Sequence, residues 1–407
     1  MPSLPSTPAI VLAMHTTGLA AARCLADGGV TVYGVSTSTS DLGRRSKRLN
    51  LVDLAGKGVH EHLLGEWLYG YAKELGGRPV VLPASDEQAL ELARHHAQLD
   101  EVCRISSVTP SDYQRIVSKE GLYGLGEKTG VRVPPMVIEP SAAELRIFCD
   151  EHIGPYLAKP YYNGVSNCAL REKNRVFPDG PSLLAYAEEY GTTALIIQRL
   201  IAGGDGWIFD AYGLCRRDGS IAVLASHRRI RQHPRGLGAT SYGEIPAAPR
   251  GLSEDALFER TRKLLSGIRY HGIFGIEWLH ERATGELYLI DFNARPFLSI
   301  GHLKDCGLNL PVLAFRELHD DPLDDVDPLP TLEHRYWMNV VPDLRSVRRR
   351  CLAGEMTWRE WVNDVRRATS FAAIDTKDIG PALYQSRELA GIGLRYAVKR
   401  AWSRIVG

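Results

Sequence analysis

Short apolar runs and helix-like stretches alternate at the start of the chain, as they do in a parallel sheet. Residues 9–13 and 30–35 are continuous apolar runs, and residues 19–26 between them carry the pattern of a buried helix. Residues 80–99 repeat the order of strand and then helix. This βαβ alternation predicts a Rossmann-like domain over residues 1–110.

The turn after the first predicted strand lacks the signature of a dinucleotide site. It reads HTTG at residues 15–18, whereas that signature is the glycine spacing GxGxxG. The phosphate-binding pattern GxxxxGK[ST] is also absent from the sequence. We therefore expect the N-terminal domain to be a packing domain.

Residues 272–296, GIFGIEWLHERATGELYLIDFNARP, predict two strands joined by a short polar turn. Side chains alternate along a strand, so Asp291 and Asn293 share a face, and pairing around the turn brings Glu277 beside Asp291. Carboxylate and amide oxygens of this kind suit Mg²⁺. Arg295 lies two residues further along that face and is placed to meet an anion held by the metal. The alternative is an exposed hairpin with ordinary surface acids.

Two glycine-containing loops follow predicted strands in the middle of the chain. Residues 161–167, YYNGVSN, come after a strand ending near Lys159, and Gly164 allows the loop to offer backbone N–H groups to a phosphate chain. Residues 202–207, AGGDGW, end the next strand and place Asp205 on a tight loop. Either loop alone is a weak signal.

The stretch HRRIRQHPRG, residues 227–236, is the basic segment of the central region. Arg229 and Arg231 alternate with Ile230, so both are expected to face the same side of an extended segment. A solvated basic strand is the ordinary interpretation. Nucleic-acid binding is disfavoured because no aromatic residues are interleaved and no basic domain surrounds the stretch.

Composition narrows the class of protein. The chain has 407 residues, of which 44% are apolar and 24% charged, with a net charge of +1, as in a globular protein of two or three domains. The seven cysteines are scattered without a CxxC pair, which argues against zinc and a disulfide framework and fits a cytoplasmic location. A signal peptide and a membrane-spanning helix are not expected.

The C-terminal part follows an acidic, proline-rich segment at residues 320–330 that reads as a boundary. Residues 389–405 predict a basic amphipathic helix. Such a helix can lie on a membrane surface, but docking on its own domain is the more common outcome.

In their order along residues 9–320, these motifs resemble the ATP-grasp superfamily, and most closely its D-aspartate-ligase-like and carbamoyl-phosphate-synthase-like carboxylate–amine ligases. The stretches that carry the resemblance are SKEGLYGLGEKTGVRVPP, YLAKP, YYNGVSN, IIQRLIAGGDG, SHRRIRQHPRG and EW…IDFNAR. Each match alone is weak, whereas several in one order make coincidence improbable.

The resemblance implies roles for residues of this chain. It assigns phosphate contacts to two lysines, Lys119 and Lys159, and to a flexible lid that contains Gly164 and Ser166. It assigns the nucleoside to an interdomain hinge formed by the stretch IIQRLIAGGDG. There Gln198 and Arg199 would lie at the edge of adenine, the backbone of Ile201 would contact the adenine ring, and Asp205 would contact the ribose. It assigns catalysis to Arg231 and Arg295, and the metal to Glu277, Asp291 and Asn293.

The expected fold class is α/β (α+β), an ATP-grasp fold in four parts. These are a Rossmann-like domain at residues 1–110, a small lid subdomain at 111–200, a large subdomain with the metal site at 201–322, and a helical extension at 330–407. ATP and Mg²⁺, with Mn²⁺ as the alternative ion, are the implied cofactors. A homodimer is left open.

The implied activity is an ATP-dependent, ADP-forming carboxylate–amine ligase that forms an amide through an acyl phosphate. Small-molecule carboxylate and amine substrates, such as an amino acid or a small peptide-like compound, are the expected partners, and nucleic acid is not. Two alternatives stay open: an ATP-binding sensor or scaffold without turnover, and an enzyme that phosphorylates a carboxylate or carbamate without forming an amide.

Overall fold

Three β-sheets organise the chain in the computed structural model, which describes residues 4–59, 64–161, 169–170, 174–247 and 251–387. One sheet belongs to the N-terminal region, one to the middle region, and the largest to the remainder. The predicted α/β class is confirmed. Among the described residues, no helix is long and apolar enough to span a membrane.

The N-terminal sheet is parallel, with strand order β3-β2-β1-β4. Its strands are β1 Ala9–Leu12, β2 Val32–Ser36, β3 Asn50–Asp53 and β4 Val80–Leu82. Its helices are α1 Thr16–Asp27, α2 Leu64–Leu75, α3 Asp86–Arg94 and α4 His96–Val102. The strand β1 is buried along its whole length, as its continuous apolar run predicts for a central parallel strand.

The middle sheet is antiparallel, with order β5-β8-β6-β7. Its strands are β5 Met136–Ile138, β6 Tyr156–Pro160, β7 Arg175–Phe177 and β8 Leu195–Arg199. The helices of this region are α5 Pro110–Val117, α6 Lys119–Lys128, α7 Ala142–Glu151 and α8 Gly180–Tyr190. The predicted lid residues Gly164 and Ser166 lie outside the described residues.

The large sheet has seven strands in the order β13-β12-β9-β10-β11-β14-β15. They are β9 Ile208–Cys215, β10 Ile221–His233, β11 Ala239–Ile245, β12 Gly272–Glu281, β13 Glu286–Asn293, β14 Arg335–Met338 and β15 Ala368–Phe371. The accompanying helices are α9 Glu254–Leu265, α10 Ile300–Asp305, α11 Leu310–Glu317, α12 Val340–Leu352 and α13 Trp358–Arg367. A further helical segment is described over 380–387.

The two faces of the large sheet bury separate apolar clusters. On β9, Tyr212 and Leu214 belong to the cluster shared with α1, α10 and α11, whereas Phe209 and Ala211 belong to the cluster shared with α5, α6 and α9. Because side chains alternate, Asp210 faces the same side as Tyr212. The sheet therefore presents a polar group on the face that packs against the N-terminal region.

The C-terminal extension contributes strands as well as helices. Strands β14 and β15 extend the large sheet past β11. Beyond β15 the chain returns to the N-terminal region, where the buried carboxylate of Asp378 accepts hydrogen bonds from Arg23 Nε at 3.0 Å and Ser46 Oγ at 2.7 Å. The extension thus connects the first and last parts of the chain. The helix predicted over residues 389–405 lies outside the described residues.

Helix α1 packs so tightly on the turn after β1 that Gly18 cannot take a side chain. A Cβ there would lie 1.7 Å from the carbonyl oxygen of Ala13, a backbone atom. We expect Gly18→Ala to lower the free energy of unfolding by about 1–3 kcal/mol, measured by denaturant titration.

Gly70→Ala on α2 is the matched control, because a Cβ at Gly70 meets nothing within 4 Å. This helical substitution should stabilise the protein by about 0.5–1 kcal/mol. Equal effects of the two substitutions would contradict the packing described for α1.

Candidate active site

A cleft of about 580 Å³ lies between the middle sheet and the large sheet. Strands β6 and β8 line one wall, strands β12 and β13 line the other, and helix α6 and the segment after β10 complete it. The residues that line the cleft include Lys119, Lys159, Gln198, Ile201, Arg229, Glu277 and Asp291.

Two carboxylates face each other across the β12–β13 hairpin. The register pairs Glu277 with Asp291, and Gly275 with Asn293, which confirms the predicted proximity. Asn293 Nδ2 donates to Glu277 Oε1 at 3.0 Å. Burial raises the pKa of Glu277, although the neighbouring Arg229 opposes that shift. The two carboxylates therefore lie side by side at the cleft, with the amide nitrogen of Asn293 directed at Glu277.

Each carboxylate of this pair is matched by a cation from another part of the chain. Lys119 is the first residue of α6, and its Nζ lies 2.5 Å from Asp291 Oδ1 and 2.8 Å from the carbonyl oxygen of Ile290. Arg229 Nη2 lies 2.5 Å from Glu277 Oε1. Desolvation in the cleft works to raise the pKa of Asp291, but the charge and hydrogen bond of Lys119 lower it overall.

Lys159 extends from β6 toward the same cleft, and its Nζ donates to Gln198 Oε1 at 2.7 Å. Burial lowers its pKa to about 7, and repulsion from Lys119 adds to that shift. The protonated form of Lys159 is therefore unfavourable in the cleft unless an anion binds beside it.

Arg229 is held on the sheet by a second carboxylate. Asp210, on the neighbouring strand β9, accepts from Arg229 Nη2 at 2.7 Å and from Arg229 Nε at 3.1 Å. Asp210 also contacts His227 Nδ1 at 2.6 Å. Burial alone would raise the pKa of Asp210, but Arg229 and His227 lower it to about 2. The bidentate contact orients the guanidinium toward Glu277.

Arg231 lies elsewhere. The pairing of β10 with β11 shifts register between Arg229 and Arg231, so the alternation expected of an unbroken strand does not hold. Arg231 makes two hydrogen bonds of 2.9 Å to the buried carboxylate of Asp343, pairs with Asp364 and stacks on Tyr242. The structure thus brings Arg229 to the cleft and packs Arg231 against α12 and α13.

Two hinge residues of the sequence prediction point away from the cleft. Arg199 contacts the hydroxyl of Tyr288 at 3.2 Å and Glu281 at 3.4 Å. The carboxylate of Asp205 binds Gln232, Gly236 and Arg350 instead of facing the cavity. Gln198 and Ile201 do line the cleft, and their contact with adenine stays a prediction.

Arg295 joins the metal-site hairpin to the N-terminal region. Its Nε and Nη2 bind the carboxylate of Asp86, the first residue of α3, at 2.9 and 3.1 Å. The Nη2 also donates to Asn293 Oδ1 at 3.1 Å. Arg295 therefore lies directly beside a predicted metal ligand, with its charge already paired.

Sequence reasoning missed Asp210 and did not single out Arg229 as the arginine of the site. One signal was present, because Asp210 is an acid within the otherwise apolar run IFDAYGLC. A buried carboxylate requires a cation or hydrogen-bond donors. That requirement points to the basic strand β10 beside it.

The types of donor atom present fit a hard divalent cation. Oxygen atoms of Glu277, Asp291 and Asn293 are the ligand type that Mg²⁺ prefers. Within the part of the chain that the structure describes, no cluster of three or more His, Cys, Asp or Glu residues could hold a metal. Glu277 and Asp291 would supply carboxylate oxygens to such an ion, and Asn293 would supply its amide oxygen, which here accepts from Arg295 Nη2.

No protein-family model matches the sequence, and a search of the curated proteins finds no match. Solved structures do match. N5-carboxyaminoimidazole synthetase from Staphylococcus aureus is 12% identical, with a TM-score of 0.62 over 83% of this chain and 83% of that one. The biotin carboxylase domain of 2-oxoglutarate carboxylase from Hydrogenobacter thermophilus, bound to MgADP, ADP and bicarbonate, is 14% identical, with a TM-score of 0.62 over 82% of this chain and 74% of that one.

A third structure, L-amino acid ligase from Bacillus licheniformis, is 14% identical, with a TM-score of 0.58 over 80% of this chain and 78% of that one. At this level of sequence identity, the three similarities define the fold of the chain. The chain has the ATP-grasp fold, as its motifs predict.

The lowered pKa of Lys159 is directly measurable. We expect the ε-carbon resonance of Lys159, assigned by its loss in Lys159→Arg, to titrate near pH 7 in the nucleotide-free protein labelled with ¹³C-lysine. Lys119→Met should raise this pKa, because it removes a repelling charge and frees Asp291 to attract Lys159. A midpoint near that of an ordinary lysine in both proteins would contradict the described cleft.

Proposed function

We propose that this protein is an ATP-dependent, ADP-forming carboxylate–amine ligase. The observation that carries the proposal is the convergence, in one cleft, of two lysines, the arginine Arg229 and a facing pair of carboxylates. The cations of this set suit the phosphates of a nucleoside triphosphate, and the carboxylates suit the divalent ion that accompanies it. The solved structures described above add support, because three of them are named as a synthetase, a carboxylase domain and an amino acid ligase.

The proposed reaction has two steps. An oxygen of the substrate carboxylate attacks the γ-phosphorus of ATP, so that an acyl phosphate forms and ADP leaves. The amine nitrogen then attacks the acyl carbon, and inorganic phosphate leaves with the C–O bond electrons while the nitrogen loses a proton. An acyl phosphate is needed because a free carboxylate has no adequate leaving group.

The lysines and the arginine take different parts in this proposal. Lys119 and Lys159 neutralise the phosphate chain, and Lys159 becomes fully protonated when phosphate enters the cleft. Glu277, Asp291 and Asn293 would hold Mg²⁺, which supplies charge neutralisation to the phosphates when bound. Arg295, through Asn293, keeps this ligand set in register with the N-terminal region.

We assign to Arg229 the contact with the transferring phosphoryl group that the sequence resemblance gave to Arg231. Arg229 lines the cleft, whereas Arg231 is enclosed by Asp343, Asp364 and Tyr242. Asp210 retains Arg229 by two hydrogen bonds, so the guanidinium would stay in place if Glu277 bound a metal ion. Preorganised charge of this kind is the main source of catalysis in phosphoryl transfer.

Ligase activity is tested by a phosphate-release screen of paired amino acids and small peptides with ATP and Mg²⁺. We expect ADP release that depends on both a carboxylate and an amine, and its loss in Asp291→Ala. Release that is unchanged in Asp291→Ala would contradict the proposal. ATP binding without any ADP formed across the panel would instead favour a nucleotide sensor, and ADP formed without an amine would favour a carboxylate kinase.

The two arginines of β10 provide a separate test. Arg229→Gln should lower kcat by about 100-fold or more, because it removes a donor from the transferring phosphoryl group. Arg231→Gln should chiefly lower the thermal midpoint, because it leaves the buried Asp343 without its main partner. Turnover and thermal unfolding of both variants check this assignment, and the reverse pattern would restore Arg231 to the catalytic role.

A further inference from the structure

One face of helix α12 packs along strand β10, behind the cleft. Asp343, Ser346 and Arg350 are spaced three and four residues apart, so they lie on one side of the helix. Asp343 binds Arg231, and Ser346 Oγ donates to the carbonyl oxygen of Gln232 at 2.9 Å. Arg350, one turn further, pairs with the carboxylate of Asp205. The C-terminal extension thus reaches the back of the cleft through one helix face.

The carboxylate of Asp205 serves as an acceptor for two segments that line the cleft. Its Oδ1 accepts from Gln232 Nε2 and from the backbone N–H of Gly236, both at 3.0 Å, and its Oδ2 accepts from the backbone N–H of Gln232 at 3.2 Å. Gln232 and Gly236 are themselves part of the cleft wall. The side chain of Asp205 is only 8% exposed, so these contacts are shielded from water.

The hinge loop that carries Asp205 also lines the cleft, through Gly203 and Gly204. Gly204 and Gly206 have φ angles of +79° and +84°, which a residue with a side chain would rarely adopt. The N–H of Gly206 donates to the carbonyl oxygen of Arg229 at 2.8 Å. This glycine-rich loop is therefore held on β10 by the side chain of Asp205 and by the N–H of the next residue, Gly206.

We propose that Arg350 is a positioning residue for nucleotide binding. It neutralises Asp205, and Asp205 in turn holds the hinge loop, Gln232 and the Gly236 segment as one rigid edge of the cleft. This inference rests on the proposed use of the cleft for ATP. It gives the C-terminal extension, which lies beyond the motif-bearing part of the chain, a role in substrate affinity.

The physical reason is the cost of a shielded, unpaired carboxylate. Without Arg350, Asp205 keeps its N–H donors but loses its only guanidinium partner among the described contacts. A poorly compensated charge draws in water or turns toward solvent, and either change releases the donors on Gln232 and Gly236. Nucleotide binding must then order this edge of the cleft, and the conformational entropy lost in doing so lowers the affinity.

The test is the Kd of ATP, measured by calorimetry on the full chain, together with the KM for ATP and kcat wherever the screen yields turnover. Arg350→Gln should raise the Kd and the KM by about tenfold, within the usual range of coupling between sites, with kcat nearly unchanged. Arg350→Lys should restore most of the affinity, because it retains the charge. Arg349→Gln is the matched control, since it removes the same charge from an exposed neighbour on the same helix.

A double-mutant cycle with Asp205→Asn isolates the pair. The two substitutions together should cost less affinity than the sum of each alone, because they remove the same interaction. A folded Arg350→Gln protein that binds ATP like the control would overturn the inference, and so would a loss of kcat at constant Kd.

Thermal unfolding identifies a variant that fails to fold. If Arg350→Gln fails to fold, the ATP affinities of Asp205→Asn and of the double variant test the inference instead. Wild-type ATP affinity in either of them would overturn it. Failure of the wild-type protein to bind ATP would instead refute the proposed function itself, so the two failures are distinguishable.

Discussion

The structure depends on keeping two carboxylates side by side in a partly dehydrated cleft. Glu277 and Asp291 face each other on adjacent strands, and like charges at that separation are unfavourable unless cations are near. The chain supplies Arg229 from β10 and Lys119 from α6, which binds Asp291 across 172 positions of sequence. The middle region and the large sheet are therefore joined electrostatically where the cleft needs both signs of charge. An anion bound to a divalent ion can use the same groups by exchanging partners.

The sequence predicted the hairpin well because its information is local. Alternation of side chains and a polar turn placed Glu277 close to Asp291. The exact register has a further cause, because pairing counted from the turn would set Glu277 opposite Ile290, and an irregularity between Glu277 and Trp278 sets it opposite Asp291. The parallel pairing of β1 with β2 and β4 followed from continuous apolar runs in the same way. The direction of each side chain on β10 did not follow, because a register shift between Arg229 and Arg231 is set by pairing with β11. Periodicity cannot locate such a shift.

Long-range partners were the other part that the sequence did not reveal. A motif match placed Asp205 and Arg199 at the hinge, yet their side chains bind Arg350, Gln232, Glu281 and Tyr288. Motifs record residue type and spacing, whereas the direction of a charged side chain depends on which counter-charge the fold brings close. For Asp205 that counter-charge comes from α12, in a region that carried no recognised motif.

The return of the chain to the N-terminal region after β15 changes what counts as a folding unit. Asp378 is buried and accepts hydrogen bonds from Arg23, Ser46 and the backbone N–H of Lys47. The charge of Arg23 on the first helix is therefore paired by a residue more than 300 positions later. A fragment cut at the acidic boundary near residue 320 would deprive Arg23 and Arg231 of the carboxylates that they bind. We therefore expect an autonomously folding piece of this protein to extend past Asp378, because boundaries drawn from motif coverage alone would cut through these contacts.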